Sequence, residues 1–61
     1  MIIRPSDIHA DTGRAKIGLV TAARDLGIGV DCRLSSMWRV DIDGNEREAF
    51  LELAKEAANA M

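Results

Sequence analysis

Two neighbouring stretches of this chain alternate between apolar and polar side chains, and this alternation constrains the fold more than any other feature. Every second residue is apolar over about 28–34 and again over about 38–42. A period of two is typical of strands that bury one face and expose the other. We therefore predict two short strands that form an antiparallel hairpin.

The register of this hairpin follows from the faces of its strands. Opposed residues in an antiparallel pair share a face, so apolar residues have to lie opposite apolar residues. A three-residue loop at 35–37 sets Leu34 opposite Trp38 and Cys32 opposite Val40. This register predicts that both apolar rows enter the core and that the charged rows face solvent.

Helical patterns lie on both sides of the hairpin. We predict the first helix over about 13–26, because Asp11 or Thr12 can cap its first turn. Gly27 is the residue type that most often ends a helix in the left-handed conformation. The second helix is predicted over about 45–60.

The start of the second helix carries a doubled capping-box spacing: Asp43 stands three residues before Glu46, and Asn45 stands three residues before Glu48. At the other end of the chain, Ile2 and Ile3 can form a third short strand within residues 1–4. Because Pro5 follows it and proline is confined to sheet edges, this strand is expected at an edge. The fold class expected is α+β: an antiparallel hairpin packed with two helices in a single small domain, 1–61.

The first helix has more apolar surface than one buried face requires. Ile17 and Val20 form a second stripe beside Lys16 and Arg24. Gly18 either weakens this helix or marks a close packing contact. The face expected to be buried consists of Ala15, Leu19, Ala22, Ala23 and Leu26.

The second helix is predicted to be amphipathic and acidic. Glu48, Glu52 and Glu56 form a row at i, i+4 spacing, with Lys55 beside them. Like charges at this spacing repel one another mildly, so the row is either tolerated as ordinary surface or used to bind a partner. The face expected to be buried consists of Ala49, Phe50, Leu53, Ala54, Ala57 and Met61.

The size of the chain favours association. A domain of 61 residues has a small core, and disulfides, metals or oligomerisation usually supplement such cores. Cys32 is the only cysteine, so it cannot form an intramolecular disulfide, and its alternation places it in the core as a small apolar side chain. We therefore expect a homodimer or another protein partner.

Charge is unevenly distributed along a chain whose net charge is −2. Residues 1–40 carry six basic and four acidic side chains, whereas residues 41–61 carry two basic and six acidic ones. This layout disfavours a general nucleic-acid binder, which needs a concentrated basic face. No apolar run approaches the roughly 20 residues that span a bilayer, so a cytoplasmic protein without membrane contact is expected.

Two short motifs are candidates for metal sites. Residues 41–45 look like the start of an EF-hand loop, with Glu52 at the twelfth position, but Glu46 stands where the loop needs glycine. His9 lies between two aspartates at a spacing that could present three ligands, although a solvated loop histidine explains it better. Neither motif predicts a cofactor, and no small-molecule substrate is evident. With no buried carboxylate pair expected, we predict that the chain is not an enzyme.

Fragments of the sequence resemble nucleic-acid-binding families. Residues 22–28, 38–40 and 48–51 look like pieces of the excisionase-type winged helix-turn-helix, in which a recognition helix lies between the first two pieces. Here that interval alternates like a strand. The order helix, strand, strand, helix also looks like a small double-stranded-RNA-binding domain, but the acidic stretch 44–48 replaces the lysines that would bind phosphate. A nucleic-acid-binding regulator that uses the basic N-terminal two-thirds is therefore the alternative hypothesis. Its predicted phosphate contacts are Arg14, Lys16, Arg24, Arg33 and Arg39.

The leading hypothesis is a non-catalytic protein-interaction module: an adaptor, inhibitor or regulatory subunit that associates with itself. The spare apolar stripe and the acidic row are the surfaces that suggest it. The candidate interaction residues are Ile17, Val20, Arg24, Glu48, Glu52 and Glu56.

Overall fold

The computed structural model describes residues 1–60 and has an α+β architecture. Two helices and a three-stranded antiparallel sheet are present, which confirms the fold class predicted from the sequence. In chain order the elements are β1 (Ile2–Ile3), α1 (Thr12–Leu26), β2 (Val30–Asp31), β3 (Trp38–Val40) and α2 (Arg47–Asn59). Two 3₁₀ turns, Pro5–Asp7 and Gly44–Glu46, precede the helices.

The sheet is ordered β1-β3-β2, so the third strand expected at the start of the chain pairs with β3 and makes it central. Alternation along β3 buries Trp38 and Val40 and exposes Arg39. Ile3 of β1 lies opposite Trp38 and is also fully buried. One face of the sheet therefore packs into the core and the other faces solvent.

The hairpin register differs from the prediction by two residues. Val30 lies opposite Val40, and Asp31 lies opposite Arg39, so the pairing expected between Cys32 and Val40 is wrong. A shift of two keeps every strand residue on its predicted face. The strands are also shorter than predicted, and the connection between them is correspondingly longer.

The reason for the short β2 lies in the side chain of Asp31. Its carboxylate accepts a hydrogen bond from the backbone N–H of Arg33 at 3.2 Å. This contact, two residues on, is an Asx turn, which bends the chain out of the extended conformation. The strand ends there, and Leu34, expected in the core opposite Trp38, is instead exposed.

Both predicted ends of α1 are confirmed. Asp11 caps the helix by accepting a hydrogen bond from the N–H of Arg14 at 3.1 Å. Gly27 follows the last residue with φ of 68°, in the left-handed region. The N–H of Ile28 then donates to the carbonyl of Ala23 at 2.8 Å and closes the helix end.

The two helices pack closely through small residues. A Cβ added at Gly18 would lie 2.9 Å from the Cβ of Ala58 and still closer to the carbonyl oxygen of Ala54. Real Cβ atoms almost never approach so closely. Of the two interpretations of Gly18 offered by the sequence, the close packing contact is confirmed.

Helix α2 starts later and is rotated relative to the prediction. Asp43 precedes the 3₁₀ turn, and its side chain makes no capping hydrogen bond. Asn45 lies inside that turn and Glu46 takes the N-cap position of α2, so both predicted capping boxes are wrong. Leu51 is buried, while Leu53 and Ala49, predicted on the buried face, are exposed. Met61 lies outside the described residues.

The core combines helix and sheet residues, and its largest fully buried side chains are Trp38, Phe50, Ile3, Leu19 and Val40. Leu26, predicted on the buried face of α1, is exposed at the last turn of that helix. Cys32 is half-buried and packs against the core. No helix within residues 1–60 is both long and apolar enough to cross a lipid bilayer.

Candidate interaction surfaces

The outer face of the sheet carries a groove of ≈ 500 Å³. Ile2, Leu34 and Met37 contribute apolar side chains to it that are 48%, 60% and 46% exposed. The described chain exposes six large apolar side chains, so half of them line this one groove. The remaining lining residues are Asp31, Arg33 and Arg39.

The local fold explains why these residues meet. Ile2 points to the outer face because its neighbour Ile3 points inward, and Arg39 lies opposite Ile2 in the register. Leu34 and Met37 come from the connection between β2 and β3, which begins at the turn made by Asp31. We call the concavity lined by these residues the sheet groove.

An ion pair fixes one wall of the sheet groove. Nη2 of Arg33 donates to Oδ2 of Asp31 at 2.8 Å, and Nε donates to Oδ1 at 3.1 Å. The side-chain hydrogen bond from Arg33 lowers the pKa of Asp31, with smaller contributions from the backbone bond and the nearby charges of Arg33 and Arg39. The same contact raises the pKa of Arg33. Both shifts favour the charged form of each group, which is the form that makes these hydrogen bonds.

Arg39 is the second cation of the sheet groove and is differently placed. It lies on the outer face of the central strand, between Ile2 on one side and Asp31 on the other. Within residues 1–60 it forms no ion pair, whereas Asp31 is engaged by Arg33. The guanidinium of Arg39 thus offers hydrogen-bond donors beside an apolar surface.

The residues predicted on α1 form a shallower surface. Ile17 is 48% exposed, Arg24 is exposed, and Val20 is half-buried. With Lys16 and Thr21 they line a concavity of ≈ 310 Å³ on the side of α1 that faces away from the core. We call it the α1 groove. Its rim carries two cations and no carboxylate.

The acidic row lies on the outside of α2. Glu48, Glu52 and Glu56 are all exposed, and the carboxylate of Glu48 lies 3.7 Å from the guanidinium of Arg47. Leu53 is 41% exposed and has Glu56 as its i+3 neighbour, next to it on the helix surface. The structure therefore does not bring the six predicted interaction residues together: three lie on each helix, on separate surfaces.

In the motif around His9, the side chains of His9 and Asp7 accept hydrogen bonds from the chain itself. Nδ1 of His9 accepts a hydrogen bond from the N–H of Asp11 at 2.9 Å. Asp7 accepts hydrogen bonds from the N–H of Arg4 at 3.1 Å and from the guanidinium of Arg47 at 3.2 Å. Across the part of the chain that the structure describes, no group of three His, Cys, Asp or Glu side chains is arranged to hold a metal ion.

The sheet groove was not anticipated from the sequence. Strict alternation placed Leu34 in the core, and nothing in the alternation shows that β2 ends at Asp31. The spacing of Asp31 and Arg33, followed by two serines, is the signal that could have revealed the turn. With that turn in place, Leu34 and Met37 belong to a loop and have no buried face to occupy.

Comparison of the chain with protein-family models, with curated proteins and with solved structures gives no match, so its function has to be inferred from the surfaces described above.

Proposed function

We propose that this chain is a non-catalytic protein-interaction module whose docking site is the sheet groove. The observation that carries the proposal is the convergence of Ile2, Leu34 and Met37 on one concavity. Single exposed apolar residues are ordinary on protein surfaces, but a contiguous apolar patch with a polar rim is typical of a docking site. Ile2 is distant in sequence from the loop that carries Leu34 and Met37, so the three side chains meet only in the folded chain.

The polar groups of the sheet groove would orient a bound partner. Arg39 can donate hydrogen bonds to a carboxylate of the partner, since no carboxylate within residues 1–60 pairs with it. Arg33 is already paired with Asp31 in the free chain, which restrains the residues that begin the loop. Preorganisation of this kind lowers the entropic cost of binding. The partner expected is a protein segment with aliphatic and acidic side chains.

The nucleic-acid-binding alternative has weaker support. Lys16 and Arg33 line a common open concavity, which would bring two of the predicted phosphate contacts together. The charge of Arg33 is largely offset by Asp31, which lies in the same concavity. Affinity for a duplex or a single strand that falls steeply with salt would favour this alternative over the docking role.

A dye that combines an apolar body with one negative charge tests the sheet groove directly. We expect 1-anilinonaphthalene-8-sulfonate, at low micromolar protein, to bind with a saturating rise in fluorescence. Leu34→Asp should weaken binding about tenfold or more, because it removes an aliphatic contact and adds a negative charge that repels the negatively charged dye. Ile17→Asp is the matched control, since Ile17 is similarly exposed but lies outside the groove.

The outcome of the dye experiment decides the docking role. Equal binding to Leu34→Asp and to the unaltered chain would mean that the dye sits elsewhere. Absence of binding to the unaltered chain would mean that the groove accepts no apolar anion. Either result would sink the proposal. Far-UV circular dichroism of both variants establishes that they are folded.

A further inference from the structure

We infer that the occupant of the sheet groove is the outer face of α2 from a second copy of the same chain. This inference rests on the proposed function, because it names the partner of the docking site described above. It joins two surfaces of one molecule that differ in charge, shape and position. The outer face of α2 is defined here by Glu52, Leu53 and Glu56.

The charges of the two surfaces are complementary. The sheet groove holds Arg33 and Arg39 against the single carboxylate of Asp31, which leaves it positive in a chain that is negative overall. The outer face of α2 holds Glu52 and Glu56 one turn apart, at about 6 Å along the axis. A carboxylate from this pair would give Arg39 the ion-pair partner that residues 1–60 of its own chain do not provide.

The apolar surfaces also match. Leu53 is the one large apolar side chain that α2 leaves exposed, and it lies beside the acidic row. The sheet groove presents Ile2, Leu34 and Met37 around its base and walls. An amphipathic helix that lays an aliphatic anchor into an apolar groove is a recurrent mode of recognition, with charges at the rim fixing its orientation.

The α1 groove is the competing receptor for the same helix. It is also basic, through Lys16 and Arg24, but it is smaller, at ≈ 310 Å³ against ≈ 500 Å³. Only Ile17 on it is a strongly exposed large apolar residue, whereas the sheet groove has three. The sheet groove therefore offers the larger apolar contact, and the α1 groove serves as the comparison in the experiment.

Association through two different surfaces is head-to-tail. A dimer formed in this way still has one unused sheet groove and one unused α2 face, so further copies can add until a ring closes. An interface that pairs one surface with itself would stop at the dimer. The mode of association thus determines how solution mass grows with concentration.

Three variants that each disable one surface test the inference. Leu34→Asp disables the sheet groove, and Arg39→Glu does so independently by charge. Glu52→Lys with Glu56→Lys disables the outer face of α2. Each variant alone should be monomeric by light scattering and analytical ultracentrifugation, while the unaltered chain grows beyond a dimer as its concentration rises.

Mixing the variants gives the decisive measurement. In an equimolar mixture of Leu34→Asp and Glu52→Lys/Glu56→Lys, one chain retains an intact α2 face and the other an intact sheet groove. The mixture should form a 1:1 complex of twice the chain mass and grow no further. Arg24→Glu, which alters the α1 groove, should associate like the unaltered chain.

Other outcomes overturn the inference and separate it from the proposed function. An unaltered chain that stays monomeric at millimolar concentration, or a mixture that stays monomeric, removes the second copy as the occupant. If Leu34→Asp prevents association but the α2 variant does not, another surface fills the sheet groove. If Arg24→Glu abolishes association, the receptor is the α1 groove. If the unaltered chain or the mixture stays monomeric, or if only Leu34→Asp prevents association, dye binding that depends on Leu34 would still support the docking role.

Discussion

Asp31 accepts three hydrogen bonds from Arg33, one from the backbone N–H and two from the guanidinium. Asp31 is the last residue of β2 and Arg33 lies two residues beyond it, so this contact closes the turn at which the strand ends and the loop that carries Leu34 begins. A pair of exposed charges contributes little to global stability. Its effect is expected to be local, on the turn and on the side of the sheet groove that the two residues line.

The pKa of Asp31 reports on this turn. Because hydrogen bonds from Arg33 lower the pKa of Asp31 from the ordinary value of 3.8, the contact stabilises the folded loop fully at pH values above 3.8. The contribution is lost as the pH falls through the lowered pKa. We expect an NMR titration of the Asp31 carboxyl to give a midpoint below 3.8 in the unaltered chain. Arg33→Gln should raise that midpoint, and an unchanged midpoint would show that the ion pair does not form in solution.

Gly18 is expected to be the least replaceable glycine of the chain. Alanine favours an exposed helix by about 1 kcal/mol relative to glycine. The added Cβ, however, would meet the backbone of α2 at Ala54 and Ala58, where neither helix can yield without moving. Gly18→Ala should therefore lower the free energy of unfolding by about 1–3 kcal/mol, the usual cost of overpacking.

Urea denaturation measures this loss, and Gly44→Ala is the matched control. No atom lies within 4 Å of a Cβ at Gly44, and its φ is not positive, so a change of at most about 0.5 kcal/mol is expected there. If Gly18→Ala is as stable as the unaltered chain, α1 and α2 lie further apart in solution than in this structure.

Gly27 is constrained by its backbone and not by its surroundings. Its φ of 68° is left-handed, and no atom lies within 4 Å of a Cβ built on it. Gly27→Ala should therefore cost about 1–2 kcal/mol, the penalty for an L-residue in this conformation. Gly27→Asn should cost less, because asparagine tolerates the left-handed region. Thermal unfolding of the two variants gives this order, and equal stability of all three chains would contradict it.

Local signals in the sequence are enough to predict the helices and the central strand. Asp11 and Gly27 define α1 because capping depends only on neighbouring residues. The sheet groove could not be predicted, because it depends on where β2 ends and on the register that follows. Leu53 shows the same limitation on α2: the apolar pattern admits two adjacent faces, and close packing at Gly18 decides which of them is buried.

Salt dependence distinguishes charge-guided association from apolar association. Ion pairs between Arg39 and the acidic face of α2 would lie at a solvent-exposed rim, where salt screens them with a Debye length of about 10 Å at 0.1 M. We expect the dissociation constant for self-association to rise as sodium chloride is increased from low to moderate concentration. Apolar contacts alone would leave it unchanged or lower it. Sedimentation of the unaltered chain across this salt series provides the measurement, and Arg39→Gln, which removes the charge, should reduce the salt dependence.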